Sequence, residues 1–477
     1  MNAVRSGALT VAGAAAAALL LGAGVAVNPQ ISFLLVIAVV CTTALAAPAG
    51  AWVLAALVSA LTFKGLVSLG LLPTVATFLD LPLVWGALLV GLLKQRERSP
   101  FLRKHLRWLA ALGFAVLLAW TFNPSEVLRP IVYLMLLGEP FAIVGALMAD
   151  PPSPRMRLAL QRTLLVLLLI QIPFAAIELV KFGPADPIQG TLYGAGAGAH
   201  VISAVIVVGA IWMLAGGIAR RALRGWRFAF IAALVVIPFV ADAKQVILVL
   251  PAIVLASSWR GGRLQLLVRG TLAVGSVVAL FTIIPAGTAT ARFIEQSQHG
   301  GGGKQATAVF VWQKLTGDPA SLVFGKGPAE TVSRAAFLTT PSFQRSGFQN
   351  SASPLAVLGL KPAAIAFEAQ QTAIDVSSGG TSFNTGVSST LGVLGDLGIL
   401  GALVYSGLLA SLFLRLRREA SPEGVAAASG FAMFIVLGLV FDWWEQPPFG
   451  VVLGVLAGLS LAKSEQAGLK SRAAARL

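Results

Sequence analysis

Residues 388–414 read SSTLGVLGDLGILGALVYSGLLASLFL and contain one charged residue, Asp396. An apolar run of this length can cross the roughly 30 Å hydrocarbon core of a bilayer as a helix. Similar runs recur along the chain, where 57% of residues are hydrophobic and only 11% are charged. Soluble domains carry about 25% charged residues. We therefore predict an all-α, polytopic helical membrane protein, because a transmembrane β-barrel would show short alternating segments instead.

The hydropathy pattern predicts about 12–14 transmembrane helices and one large polar loop. The predicted spans are 7–27, 30–47, 49–72, 75–93, 107–122, 130–149, 163–180, 198–219, 228–241, 245–259, 270–289, 388–414, 426–441 and 448–462. The predicted divisions are an N-terminal bundle (1–289), the loop with short helices (290–387), C-terminal transmembrane helices (388–462) and a tail (463–477).

Basic patches predict the orientation of these spans. The net charge is +16, and most Lys and Arg residues fall in alternate connections, as expected for cytoplasmic segments. The patches are 94–107, 150–162, 220–227, 260–269, 415–424 and the tail. We therefore expect a multi-pass protein of the cytoplasmic (inner) membrane, with both termini cytoplasmic and the loop extracytoplasmic. The same distribution explains the positive charge without nucleic acid, which is not an expected partner.

Charged residues inside predicted spans are costly in a bilayer and are candidates for function. They are Lys64, Asp80, Glu139, Glu178, Asp242, Lys244 and Asp396. For those near predicted span ends an interfacial position is the alternative, and Lys64 can extend its amine to the interface. Asp242 and Lys244 lie where two short apolar segments meet, and they either line a polar cavity or form a structural pair.

Metal and cofactor chemistry is not expected. The chain has three His residues and one Cys, and it lacks GxSxG, HExxH and paired-Cys patterns. Glycine-rich segments instead suggest anion binding. GTLYGAGAGA precedes His200, and FGKGPAETVSR (324–334) combines glycines with Lys326 and Arg334 near a possible helix start, where backbone N–H groups favour anions. A purely structural role for His200 is the alternative.

The loop itself is predicted to contain helices. ATAVFVWQKL has helical spacing, with Val309, Trp312 and Leu315 on one face that would rest on the membrane surface. A second helix is predicted between residues 354 and 375, interrupted at Pro362.

Three strings, in this order and spacing, resemble the O-antigen ligase and O-antigen polymerase superfamily of bacterial multi-span proteins. Gly190-Thr191-Leu192 resembles a G-T-F segment before a span. Trp312-Gln-Lys-Leu followed by Phe324-Gly-Lys-Gly-Pro resembles a tryptophan-containing helix and its G-x-G-P turn. Residues 391–401, LGVLGDLGILG, resemble the acidic segment that opens the span after the large loop. The resemblance covers roughly residues 185–415.

The sequence departs from that family at three positions. Where the family has a His about nine residues before the acidic residue, this chain has Val387. An expected Arg before the tryptophan helix is replaced by Ala-Thr-Ala, with Lys304 as the nearest cation. The Arg of an S-R pair between split spans is matched only by Lys244.

The resemblance implies a metal-independent glycan transferase without cofactor. A glycan on a polyprenyl diphosphate would pass to a lipid or glycan acceptor outside the cytoplasmic membrane. Cations would stabilise the diphosphate leaving group, and a base would take the acceptor proton. The expected cations are Lys244, Arg292, Lys304, Lys326, Arg334 and Arg345, and the expected bases are His299 and His200.

Two further interpretations stay open. A transporter or flippase of lipid-linked oligosaccharide would have internal pseudo-symmetry and paired charges at mid-membrane, neither of which we recognise in the sequence. A non-catalytic protein of a polysaccharide-assembly complex, with other envelope proteins as partners, is the second alternative.

Overall fold

The computed structural model describes residues 47–95, 99–183, 188–192, 198–216, 227–241, 243, 245–246, 249, 303–339, 363–376 and 388–474. In these residues the chain forms helices joined by turns, with no β-strand. The predicted fold class, an all-α polytopic membrane protein, is confirmed.

The α-helices of the described residues are α1 (Ala49–Ser68), α2 (Asp80–Lys94), α3 (Pro100–Phe122), α4 (Leu128–Ala149), α5 (Pro154–Leu169), α6 (Gln171–Phe182), α7 (Gly198–Leu214), α8 (Arg227–Val240), α9 (Gly303–Thr316), α10 (Pro319–Phe324), α11 (Arg334–Thr339), α12 (Ala364–Val376), α13 (Ser389–Leu416), α14 (Pro422–Val440) and α15 (Pro447–Ala474). Short 3₁₀ helices at Thr74–Phe78 and Gly190–Leu192 precede α2 and α7.

Eight stretches of the described residues are long and apolar enough to cross a membrane. They comprise α1, α2 with the turn before it, α3, α4, α5 together with α6, α13, α14 and α15. Two further apolar helices, α7 and α8, are shorter. The predicted spans 7–27, 30–47, 245–259 and 270–289 lie wholly or almost wholly outside the described residues, so the total of 12–14 stays a prediction.

Helices α4 and α15 form the centre of the described bundle and pack against each other. Small residues at every fourth position of α15 allow the two helices to pack closely. A Cβ atom on Gly454 would lie 2.8 Å from the carbonyl oxygen of Pro140, and one on Gly458 would lie 2.7 Å from Leu147. Such small-residue faces let transmembrane helices pack tightly where apolar burial alone cannot drive association.

Three helices begin with the same Ser-Pro pair beside a basic patch. The side chains of Ser99, Ser153 and Ser421 each accept a hydrogen bond from a backbone N–H of the first turn, at 3.1–3.3 Å. Proline follows each serine at the first helical position, where its missing N–H costs nothing. These caps fix the ends of α3, α5 and α14 at the predicted cytoplasmic connections.

The described part of the polar loop is helical, as predicted. Helix α9 packs along α12, and α10 packs on α13. The buried face of α9 is formed by Thr307, Val311 and Leu315, whereas Val309 and Trp312 are about half exposed. Leu315 is therefore covered by protein, because α12 packs on that side of the helix, and contact of Val309 and Trp312 with the membrane surface stays a prediction. At the other end of the chain, α15 continues without a break into the predicted tail.

Candidate functional site

The segment between α10 and the end of α11, residues 325–339, returns from the polar loop to the membrane bundle; we call it the docking segment. The Asp396 carboxylate of α13 holds it. This fully buried carboxylate accepts hydrogen bonds from the backbone N–H groups of Ala329 (3.0 Å), Glu330 (3.2 Å) and Thr331 (2.8 Å), and from the Thr331 hydroxyl (2.6 Å). Four donors converge on one side chain, so Asp396 acts here as a structural anchor.

The backbones of the docking segment and α13 also touch directly. The N–H of Lys326 donates to the carbonyl of Gly395 at 2.7 Å. Gly325 and Gly398 both have φ in the left-handed region, +81° and +67°. A Cβ atom on Gly325 would lie 2.2 Å from the Asp396 carbonyl oxygen, and one on Gly398 would lie 2.3 Å from that of Val323. The glycines of FGKGP and GDLGILG thus permit a contact that side chains would block.

Helices α3 and α4 support the docking segment from the opposite side. The Asn123 side-chain amide donates to the carbonyl of Gly325 at 2.7 Å, and Arg129 forms an ion pair with Glu330. Arg129 is almost fully buried, while Glu330 keeps some exposure. Burial raises the pKa of the Glu330 carboxyl, and the Arg129 guanidinium opposes that rise. The segment is therefore clamped between α13 and the α3–α4 connection.

A second group of charges forms where α11 meets the break between α14 and α15. We call Arg334, Asp442 and Glu445 the carboxylate–arginine cluster. A terminal nitrogen (Nη1) of Arg334 lies 4.0 Å from Asp442 Oδ2, and Glu445 Oε2 accepts a hydrogen bond from the N–H of Ala335 at 2.8 Å. Burial, together with the nearby Asp442 charge, raises the pKa of Glu445 well above its usual value.

The turn that carries these two carboxylates, FDWWEQPP (441–448), is fixed by Ser389. The Ser389 hydroxyl accepts hydrogen bonds from the N–H groups of Trp443 (2.7 Å) and Trp444 (2.8 Å). The neighbouring Ser388 caps α13 by accepting from the N–H of Leu391 at 3.1 Å. Both serines beside Val387 therefore have structural partners, and the turn presents its acidic side chains to α11.

Sequence reasoning missed Asp442, Glu445, Arg129 and Glu330. A signal was present for the first two. Two carboxylates interrupt the apolar sequence between the last two spans, and burial of acidic groups beside an arginine often marks a functional site. For Arg129 and Glu330 we find no sequence signal, because the partners are distant in sequence and meet only through the docking segment.

Among the predicted site residues, Lys326 and Arg334 both lie in the docking segment. Lys326 Nζ is 4.0 Å from Asp318 Oδ2, which belongs to the cap of α10. Lys304 lies in the first turn of α9, and His200 is half-buried in the first turn of α7. The remaining predicted residues, Lys244, Arg292, His299 and Arg345, lie outside the described residues.

The Gly190-Thr191-Leu192 segment is held by side chains of α6. Glu178 Oε2 accepts hydrogen bonds from the N–H groups of Gln189 (2.8 Å) and Gly190 (2.7 Å). Gln171 exchanges hydrogen bonds with Thr191 at 2.9 Å and 3.0 Å, and the Thr191 hydroxyl donates to the carbonyl of Leu61. These contacts give Glu178 a structural role.

Three charged residues occupy the bundle near α11. Glu139 lies midway along α4, Asp80 begins α2, and Lys64 lies in the last part of α1. Both carboxyl groups are 1% exposed, and each interacts electrostatically with Lys64. We call this group the intramembrane trio. Paired charges within the spans were not recognised from the sequence, whereas these three residues interact in the structure. Glu139 lies near the middle of the 22-residue helix α4 and not near either end.

In the part of the chain that the structure covers, no group of three or more His, Cys, Asp or Glu side chains could hold a metal ion. No known protein-family model matches the sequence, and no curated protein sequence matches it significantly.

Proposed function

We propose that the protein transfers a glycan from a polyprenyl-diphosphate carrier to an acceptor hydroxyl. One observation carries this proposal: Arg334 is brought beside two buried carboxylates, Asp442 and Glu445, where the docking segment meets the bundle. A cation and a proton acceptor in one partly dehydrated place are the two groups that displacement of a diphosphate requires.

Arg334 supplies the cation in this proposal. Its nearest carboxylate oxygen among the described contacts is 4.0 Å away, and its Nε makes no hydrogen bond to a described residue. The guanidinium therefore keeps donors for phosphate oxygens, which it can bind in a bidentate manner. Lys326 lies in the same segment and supplies a second positive charge, although Asp318 lies nearby.

Glu445 is the proposed base and acts from its ionised form, in which a raised pKa makes the carboxylate a stronger proton acceptor. Its Oε1 atom makes no hydrogen bond to a described residue, while Oε2 is held by the N–H of Ala335. In the proposed step the acceptor oxygen bonds to the anomeric carbon of the donor sugar. The bond from that carbon to the diphosphate oxygen breaks, and the acceptor proton passes to Glu445 while Arg334 stabilises the diphosphate.

The proposed location is the outer face of the cytoplasmic membrane. The Ser-Pro starts of α3, α5 and α14 adjoin basic patches, which favour the cytoplasm. The docking segment contacts Asn123, which directly follows α3, and Arg129, which lies in the first turn of α4. Asn123 is at the end of α3 opposite to its Ser-Pro start, so the proposal puts the docking segment on the outer face. Both termini would then be cytoplasmic.

Loss of the gene product followed by glycolipid analysis tests the function. We expect polyprenyl-diphosphate-linked glycan to accumulate on the outer face, with the wild-type chain and an Arg418→Ala variant restoring transfer. Arg418 is the matched control, because it is an exposed arginine in the turn after α13. Arg334→Ala should leave the glycolipid accumulated at unchanged membrane abundance. Full transfer by that variant would remove Arg334 from the mechanism.

A transporter or flippase of the same glycolipid is the second candidate. The specific observation in its favour is the intramembrane trio of Lys64, Asp80 and Glu139, because buried charges often mark transport pathways. It predicts that the glycolipid is trapped on the cytoplasmic face when the gene product is lost. If glycolipid distribution is unchanged, both candidates fail and an assembly role without catalysis remains.

A further inference from the structure

We propose that the intramembrane trio is a proton-binding site, in which Asp80 and Glu139 together hold one proton beside the amine of Lys64. This inference is independent of the proposed glycan transfer, since it concerns side chains inside the bundle and not the carboxylate–arginine cluster. The ligand is a proton, and the site would be a carboxyl group that stays protonated at neutral pH within the membrane.

The first support is burial with few hydrogen-bond donors. Asp80 and Glu139 are each 1% exposed. The Oε1 atom of Glu139 makes no hydrogen bond to a described residue, and the only donors that act on the Asp80 carboxyl are the backbone N–H groups of Asp80 and Leu81 at the start of its own helix. Glu178, which is also buried, differs from Glu139 because two backbone N–H groups donate to it. An ionised carboxylate without donors is strongly disfavoured in an apolar interior, whereas a protonated one is not.

The second support is the balance of charge. One amine, on Lys64, interacts electrostatically with two carboxyl groups, so a single proton makes the trio neutral. None of the ion pairs found between described residues joins Lys64 to Asp80 or Glu139. Two interacting carboxyl groups release their protons in separate steps, and the second proton leaves less readily because of the first charge.

The third support is what faces the trio from the surrounding helices. Helix α15 presents Gly450 to Glu139, where a Cβ atom would lie 3.4 Å from Oε2, so no charge approaches from that side. On α3 the nearby titratable group is His105, whose Nε2 atom lies 2.8 Å from the carbonyl oxygen of Phe141, two residues after Glu139. From α11, Arg334 interacts with Lys64 and lies near Asp442. The other ionisable groups on α4 are Tyr133 and Arg129, and Arg129 is paired with Glu330.

Labelling with a hydrophobic carbodiimide tests the proposal directly. The reagent enters the bilayer and reacts with protonated carboxyl groups: the carboxyl proton moves to one carbodiimide nitrogen, the carboxyl oxygen bonds to the central carbon, and rearrangement gives a stable N-acylurea. The full chain would be reconstituted in vesicles, labelled at a series of pH values, digested and analysed by mass spectrometry. The probe is the carbodiimide alone, so no glycan substrate is required.

We expect Glu139 or Asp80 to be modified at neutral pH, with the yield falling about tenfold for each pH unit above the midpoint. Glu178 is the internal control and should be modified less, because two backbone N–H groups donate to its carboxylate. Glu139→Gln together with Asp80→Asn should abolish modification of α2 and α4. Lys64→Met should move the midpoint to higher pH, because the two carboxyl groups then lack a cation.

Three outcomes would overturn the proposal. The wild-type profile alone excludes a proton site if neither carboxyl group is modified near neutral pH, whether or not the variants fold. Equal modification of Glu178 would show that the reagent reports access and not protonation. Saturable protection by sodium at fixed pH, without any pH dependence, would show that the trio binds a monovalent cation instead.

Discussion

Asp396 receives four hydrogen bonds from the docking segment, so its replacement has a defined consequence. In Asp396→Asn one acceptor oxygen becomes an NH₂ donor that faces N–H groups. Leaving buried donors without an acceptor costs about 1–3 kcal/mol. We expect faster amide hydrogen exchange in residues 325–339, with the exchange of α4 and α15 unchanged. Asp318→Asn is the matched control, since Asp318 caps α10 through one exposed and one partly buried contact. Identical exchange in both variants would contradict the anchoring role of Asp396.

The raised pKa of Glu445 predicts how the free energy of unfolding depends on pH. Its folded pKa is raised, so the folded protein binds a proton more tightly than the unfolded chain. The resulting stabilisation is complete below the ordinary pKa of a glutamate and is lost as pH rises towards the folded value. Relative to Glu445→Gln, the wild type should lose up to about 1.4 kcal/mol per pH unit in that window.

Unfolding in detergent at several pH values measures this difference. The Glu445→Gln variant is a suitable reference for the wild type, because its side-chain oxygen can still accept a hydrogen bond from the N–H of Ala335. If the wild type and the variant have parallel pH profiles, Glu445 does not carry a raised pKa in the folded protein.

At the scale of elements, the contact between the docking segment and α13 depends on two glycines. Gly325→Ala and Gly398→Ala combine left-handed backbone strain with a Cβ atom placed 2.2–2.3 Å from a carbonyl oxygen. Each should displace the segment and lower both its protection from proteolysis and any transferase activity. Gly70→Ala is the matched control, because Gly70 has φ of +72° with nothing within 4 Å of the added atom.

Limited proteolysis of the three variants in membranes measures the effect. The Gly70 variant should resemble the wild type apart from local strain of about 1 kcal/mol. Equal protection of all three would mean that backbone strain alone, and not the close approach, determines the effect of these substitutions.

The positions of helices could be predicted from the sequence better than the contacts that those helices make. The helix at residues 303–316 follows from its spacing, but its buried face depends on α12, whose position no local pattern encodes. In the same way FGKGP and GDLGILG are recognisable strings, yet their mutual contact requires residues about seventy positions apart to converge. Glu445 was missed because a short acidic turn between spans resembles an ordinary interfacial loop until its burial is known.

At the scale of the whole molecule, the amino-acid composition was sufficient to predict the fold class. A chain with 11% charged residues cannot cover a water-facing surface, and apolar length sets the spans. The intramembrane trio was only partly predictable. Each of its residues was recognised as costly in a bilayer, but their association arises from the packing of α1, α2 and α4.

The orientation of the molecule can be tested by chemical labelling. In a background with Cys41→Ser, a membrane-impermeant maleimide added to intact cells should label Gln313→Cys in α9. It should label Arg418→Cys, in the turn after α13, only after the membrane is opened. Both positions are exposed in the structure, so access depends on the side of the membrane. The reverse pattern would contradict the orientation inferred from the basic patches.

The central claim, glycan transfer at the carboxylate–arginine cluster, is tested most directly by reconstitution. Purified protein in vesicles would receive a polyprenyl-diphosphate-linked glycan and a hydroxyl acceptor, and the product would be measured by mass spectrometry. We predict transfer with release of polyprenyl diphosphate, without added metal or nucleotide, and a loss of at least about 100-fold in Arg334→Ala and Glu445→Gln. Transfer unaffected by either substitution would contradict the account, as would movement of intact glycolipid across the bilayer without cleavage.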